Sequence, residues 1–201
     1  MTTVTEGAPA PDFELETPDG PVSLADFAGK TVVLYFYPKD DTAGCTKEAQ
    51  DFTALAPEFA KAGVTVLGVS KDSIAAHRKF ATKYGLGVKL GSDPEGSVVE
   101  RYGSWVEKSL YGRKYMGIDR STFLIRDGKV AKIWRKVRVP NHAQQVLDAA
   151  RAACSVAVAD KRCSPAAPGR FGAVRACNHL ACGKKVVAYR GDRGMGTPRH
   201  A

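Results

Sequence analysis

The chain has 201 residues, 44% hydrophobic and 25% charged, a composition that supports a packed core and excludes both a fibrous repeat and disorder throughout. Its formal charge of +9 is unevenly placed: residues 1–154 hold 21 Lys and Arg against 19 Asp and Glu, and residues 155–201 hold 9 against 2. The longest uninterrupted apolar run, Val32 to Tyr37, is six residues, against the roughly 20 that a membrane helix requires, so no transmembrane helix is expected.

Met1 to Phe13 has neither a basic segment nor an apolar one and carries Glu6 and Asp12, so a reducing cytoplasm is the expected compartment. Five cysteines cannot all pair within one monomer, and four of them, Cys154, Cys163, Cys177 and Cys182, lie beyond residue 150. Residues 155–201 contain six Gly, three Pro, nine Ala and a single Leu, too little large apolar volume to offset the entropy of ordering them. The chain therefore divides into a domain, 1–154, and a basic extension, 155–201, expected to be poorly ordered.

Within the domain, Phe13 to Leu24 reads as a hairpin. Val32 to Tyr37, β-branched and aromatic throughout, is the pattern of a central strand buried on both faces. Pro38 ends it, and Lys39 to Gly44 leads into Cys45 to Ala62, where Ala49, Phe52, Leu55, Phe59 and Ala60 recur at helical spacing. Pro57 is expected to kink or restart that helix. Val64 to Val69 is a second buried strand, and Ser73 to Tyr84 a helix with Ser73 as N-cap. An inserted helix falls near Pro94 to Tyr102. Ser121 to Ile125 and Val130 to Val137 flank Asp127 and Gly128, a hairpin turn signal, and Asn141 to Ala153 forms a terminal helix. The order is βαβ followed by ββα. It predicts an α/β thioredoxin-like fold with a central mixed sheet, an N-terminal hairpin and an inserted helix.

Cys45 falls where the first buried strand turns into its helix. At that place helix amides lack partners and their partial positive charge stabilises an anion such as a thiolate. The alternative for such a residue is a small apolar side chain packed at a helix start.

The segment from Pro38 to Glu48 follows the Pro-x-x-x-Thr-x-x-Cys signature and resembles the peroxiredoxins, closest to the bacterioferritin comigratory protein, or Q-type, subfamily. Tyr35 to Thr42, Gly63 to Ser70, Gly103 to Lys108 and Gly117 to Ile125 are also similar to this subfamily, and the likeness covers about residues 7 to 153. The resemblance implies that the Cys45 thiolate attacks a hydroperoxide, becoming a sulfenic acid and releasing water or an alcohol. It implies that the Thr42 hydroxyl hydrogen-bonds thiolate and peroxide, and that Arg120 is brought beside the cysteine to hold both in its planar fork. The resemblance further implies that Pro38 shields the site and fixes the turn, and that the amides of Gly44 and Cys45 complete a cradle for the oxygens. Glu48, one turn into the helix, is expected to pair with a Lys or Arg.

The expected function is thus a thiol peroxidase for hydrogen peroxide and organic hydroperoxides, re-reduced by thioredoxin or another thiol donor, acting as monomer or dimer without haem, flavin or metal. The alternative is a peroxide-sensing or holdase-like protein that uses the same cysteine as a switch. The chain departs from the subfamily in its resolving cysteine: Gln50 stands five residues after Cys45, and Ser73 to Tyr84 contains none. Direct reduction by an external thiol is therefore favoured over resolution by Cys154, Cys163, Cys177 or Cys182. Cys177, His179 and Cys182 do not make a recognised zinc spacing. Nothing in the extension resembles a nucleic-acid-binding motif, so neither metal nor nucleic acid is expected as a partner.

Overall fold

The computed structural model describes residues 4–110 and 112–160, with side chains, other than that of Leu110, described as far as Ala153. The expected extension beyond residue 160, with Cys163, Cys177, His179 and Cys182, lies outside the described residues, as does the side chain of Cys154.

The elements run β1 (Glu14–Thr17), β2 (Gly20–Ser23), a 3-10 turn (Leu24–Phe27), β3 (Thr31–Phe36), α1 (Ala43–Lys61), β4 (Val64–Ser70), α2 (Ile74–Tyr84), β5 (Lys89–Ser92), α3 (Ser97–Arg101), β6 (Trp105–Leu110), β7 (Arg113–Ile118), β8 (Ser121–Arg126), β9 (Lys129–Trp134) and α4 (His142–Asp160). One mixed sheet has the order β2-β1-β5-β4-β3-β8-β9, and β6 pairs with β7 separately. β3, β4 and β5 are parallel, while β8 runs antiparallel to β3.

All six residues of β3 are buried, and the period of two sends them to two cores. Val32, Leu34 and Phe36 pack with Leu67, Phe123, Val98, Val99 and Tyr102, on the face that α3 covers. Val33, Tyr35 and Tyr37 pack with Phe52 and Phe59 of α1, Phe80 of α2, and Val146 and Leu147 of α4. At roughly 1.5 to 3 kcal/mol per buried large apolar side chain, these two layers are what holds the central strand in place.

Ser73 caps α2 as expected, its Oγ accepting from the Ala76 amide at 3.4 Å. Asp127 and Gly128 both have positive φ, 48° and 72°, as a two-residue hairpin turn matched to strand twist requires. Pro57 does not restart α1, which is one helix from Ala43 to Lys61. The proline removes a single ladder bond, and Phe52 and Phe59 on either side of it, ring centroids 5.9 Å apart, seat both halves in the same core. α4 runs past the expected end at Ala153 to Asp160, so the boundary expected after residue 154 falls inside a helix. β5 and the β6–β7 hairpin were not expected.

Candidate active site

α1 begins with Ala43, so Cys45 is its third residue and is only 2% exposed. The first ladder bond is Thr46 N–H to Thr42 O, 2.8 Å. The amides of Gly44 and Cys45 precede it and are free to face an anion.

Arg120 reaches this point through strand register. β8 opposes β3 with Ser121 across from Phe36, so the residue just before β8 emerges beside the exit of β3 and the loop into α1. There Nη2 of Arg120 donates to Cys45 Sγ at 3.2 Å, and Nη1 pairs with the Glu48 carboxylate. Glu48 lies three residues after Cys45, on the same helix face. The structure thus gives Glu48 the basic partner expected of it, and that partner is Arg120. A Cβ on Gly44 would stand 3.3 Å from Nη2, so glycine there leaves the guanidinium its room.

Thr42 is the residue before the helix, but its hydroxyl does not reach the sulfur. It donates to the Lys39 carbonyl at 3.1 Å. This corrects the expected Thr42-to-thiolate bond: the hydroxyl has one proton, and the loop carbonyl takes it. The oxygen lone pairs still allow it to accept from a hydroperoxide O–H. Pro38 is exposed at the end of β3 and lines a cavity of about 270 Å³ with Lys71, Trp105, Lys108 and Met116. The structure therefore joins Cys45, Arg120 and Glu48 directly, with Thr42 and Pro38 on the adjoining loop.

Sequence reasoning missed three features. Tyr35, whose ring covers Gly68 so closely that a Cβ there would be 2.6 Å from its hydroxyl, leaves that hydroxyl buried and without a partner among the described residues, as are Glu48 Oε1 and Thr46 Oγ1. His142, at the start of α4, is buried against Phe52 and Trp134, with Nε2 2.8 Å from Thr122 Oγ1. Asp40 and His77 form a buried pair behind the loop. None of the three carries a local sequence signal.

Two buried groups beside Arg120 titrate abnormally. Burial pushes the Glu48 carboxyl up to about 7 against the lowering pull of Arg120. Burial, and after it the Arg120 charge, push His142 down to about 4. A carboxyl raised in this way contributes its full stability below its unfolded value near 4.5 and loses it as pH climbs through about 7. A histidine depressed in this way contributes above its unfolded value near 6.5 and loses that as pH falls through about 4. Over most of this window the two slopes oppose each other. Glu48→Gln is expected to remove the first, so that stability in urea rises from pH 4 to 6.5 more steeply than in the unaltered protein; parallel profiles would show that Glu48 does not titrate there.

A thioredoxin-like sheet that presents one buried cysteine at a helix start, gripped by the arginine that precedes the neighbouring antiparallel strand, defines a class of thiol enzyme rather than a dithiol oxidoreductase, because Thr42 stands where a Cys-x-x-Cys motif would need its first thiol. The AhpC/TSA family model matches residues 7–133. Peroxiredoxin Bcp of Bacillus subtilis is 46% identical over 147 residues, 72% of this chain and 94% of that protein. Peroxiredoxin Bcp of Xanthomonas campestris is 44% identical over 161 residues, 76% of this chain and 98% of that protein. A solved structure of Xanthomonas campestris peroxiredoxin Q has a TM-score of 0.68 at 44% identity, covering 71% of this chain and 91% of that one. A second structure, of the same organism's bacterioferritin comigratory protein, concerns its alkyl peroxide reduction activity and also has a TM-score of 0.68 at 44% identity, covering 71% of this chain and 92% of that one. The chain belongs to the AhpC/TSA family and, within it, to the Q-type (Bcp) peroxiredoxins, which are thiol peroxidases.

Proposed function

We infer that Cys45 is the peroxidatic nucleophile for hydrogen peroxide and organic hydroperoxides. The observation that carries this is the Arg120 guanidinium, with one nitrogen on Cys45 Sγ at 3.2 Å and another on Glu48. The sulfur attacks the terminal peroxide oxygen, an S–O bond forms as the O–O bond breaks, and the departing oxygen takes a proton to leave as water or alcohol. Sulfur loses two electrons and the peroxide gains them. Arg120 stabilises charge on both sulfur and departing oxygen, the amides of Gly44 and Cys45 add to that field, and the Thr42 oxygen accepts from the peroxide O–H. Pro38 fixes the exit of β3. The alkyl peroxide activity of the Xanthomonas relative supports organic hydroperoxides as substrates.

Re-reduction needs a thiol to attack the sulfenic sulfur and expel water, leaving a disulfide that a second thiol opens. Thioredoxin, or another thiol donor of the cytoplasm, fits that need, since neither Gln50 nor any residue from Ser73 to Tyr84 supplies a thiol. Among the described residues no helix is long and apolar enough to cross a membrane. The domain expected over 1–154, which α4 carries on to Asp160, holds the chemistry, and the rest of the chain is an addition to it, a division supported by relatives that align over 94–98% of their own length but 72–76% of this chain. Steady-state peroxide consumption with thioredoxin and its reductase tests this reading, because a sensor or holdase would react once and stop. Replacing Cys154, Cys163, Cys177 and Cys182 together is expected to leave the first stoichiometric peroxide reduction unchanged. Loss of that single turnover would assign part of the reacting site to the extension.

A further inference from the structure

β4 and β8 flank β3 on opposite sides. Arg120 approaches Cys45 from the β8 side, whereas the loop carrying Pro38 to Thr42 is held from the β4 side, by α2 and the turn before it. The Asp40 carboxylate is buried, accepts from the Tyr37 hydroxyl at 2.7 Å and faces His77 Nδ1 at 2.7 Å. His77, on α2, is fully buried, and its Nε2 stands 3.3 Å from the Gly91 carbonyl of β5. Asp41, at φ 56°, is tied to Lys83 Nζ at 2.8 Å and to the Tyr84 hydroxyl, both also on α2. Holding a non-glycine residue in the left-handed region costs free energy, and these bonds offset it.

One peptide unit connects this anchorage to the site. The Asp40 N–H donates to Asp72 Oδ2 at 2.7 Å, and the Lys39 carbonyl of the same unit accepts from Thr42 Oγ1 at 3.1 Å. Asp72 is itself fixed by Ser70, whose Oγ donates to the same carboxylate oxygen at 2.9 Å. Because the peptide is planar, turning its N–H away from Asp72 swings its carbonyl away from Thr42. The two bonds on either side of this peptide, Thr42 hydroxyl to Lys39 carbonyl and Asp40 amide to Asp72, are polarised in one sense and strengthen each other, and Ser70 holds the Asp72 end in place.

We propose that His77 and Asp72 are positioning residues for peroxide reduction: through Asp40 and the Lys39–Asp40 peptide plane they aim the Thr42 hydroxyl at the incoming peroxide. The proposal rests on the reading of Cys45 and Thr42 given above. It is tested by stopped-flow rates of hydrogen peroxide with the reduced full chain, in double-mutant cycles. His77→Phe keeps a buried ring but removes the nitrogen facing Asp40. Asp72→Asn weakens the acceptor for the Asp40 amide and serves where His77→Phe does not fold.

Each variant is expected to slow the reaction about 10-fold with Thr42 present and less than about 3-fold in a Thr42→Val background, since residues acting through one another are non-additive. In an Arg120→Lys background a loss clearly larger than in the Thr42→Val background should persist, because the relay runs through Thr42 and not through Arg120. Equal losses in every background, or no loss in any, overturn the proposal and leave the cluster as a brace for the fold. An unaltered chain that consumes no peroxide overturns the parent reading instead, and that result is seen before any variant is compared.

Discussion

Cys45→Ser is expected to bring peroxide consumption down to the uncatalysed background while leaving the fold in place. Serine fits the space, and its oxygen can accept from Arg120 Nη2 where the sulfur now does, 3.2 Å away, so the buried polar atom has a partner and costs at most about 1 kcal/mol. The chemistry does not survive. A serine hydroxyl is not ionised at neutral pH, and oxygen has no counterpart to the two-electron oxidation that takes a thiolate to a sulfenic acid. The measurements are peroxide loss with thioredoxin and its reductase, and thermal unfolding beside the unaltered protein. Turnover at the normal rate by the serine variant would remove Cys45 from the mechanism. A collapsed unfolding transition would show that the sulfur also packs in a way serine cannot match.

What could be read in the sequence was whatever the chain writes locally. The six apolar residues from Val32 to Tyr37 declared β3, the helical recurrence of Ala49, Phe52 and Phe59 declared α1, and the residue types around Cys45 declared the chemistry. β5 was not legible because Lys89 to Ser92 is four residues long with one large apolar side chain, Leu90, and forms through pairing with β4. The β6–β7 hairpin mixes apolar with charged residues, and its Tyr115 and Met116 are exposed. It is anchored by Ile118 in one core and by Trp105 packed against it, partners that no local window contains.

The site divides in the same way. Thr42, Cys45 and Glu48 lie within about two helical turns of one another, but the hydrogen-bond partner of Thr42 depends on how Lys39 is turned, and Lys39 in turn on Asp72, whose placement is a tertiary matter. The Asp40–His77 pair joins residues 37 apart, and the contact exists only because α2 crosses behind the loop. Arg120, far from Cys45 in the chain, was expected at the site only through the family resemblance, and the structure supplies the physical reason, the register that sets Ser121 opposite Phe36.

That same residue carries the second large effect. Arg120→Ala is expected to slow the reaction of Cys45 with hydrogen peroxide far more than it disturbs the fold. Its guanidinium touches the sulfur and the Glu48 carboxylate together and is only 16% exposed, so its field at the sulfur is poorly screened by water. Charge leaves the sulfur and develops on the departing oxygen as the O–O bond breaks, and a fixed cation beside both stabilises that redistribution without having to reorganise. Losing preorganised stabilisation of this kind costs roughly 3 to 4 kcal/mol, or about 100- to 1000-fold in rate. Lysine should recover little of it, because a single ammonium cannot hold Cys45 Sγ and the Glu48 carboxylate in one planar fork. Glu48 sharpens the comparison, since in Arg120→Ala it keeps its burial but loses the cation that partly offsets the upward push on its carboxyl, so it should become protonated and remain neutral at the sulfur's side. The check is a pH series of single-turnover rates for the unaltered protein, Arg120→Ala, Arg120→Lys and the double variant Arg120→Ala with Glu48→Gln. If Glu48 is neutral once Arg120 is gone, the double variant should be no slower than Arg120→Ala alone. An alanine variant that keeps the full rate at every pH would reduce Arg120 to a structural partner of Glu48.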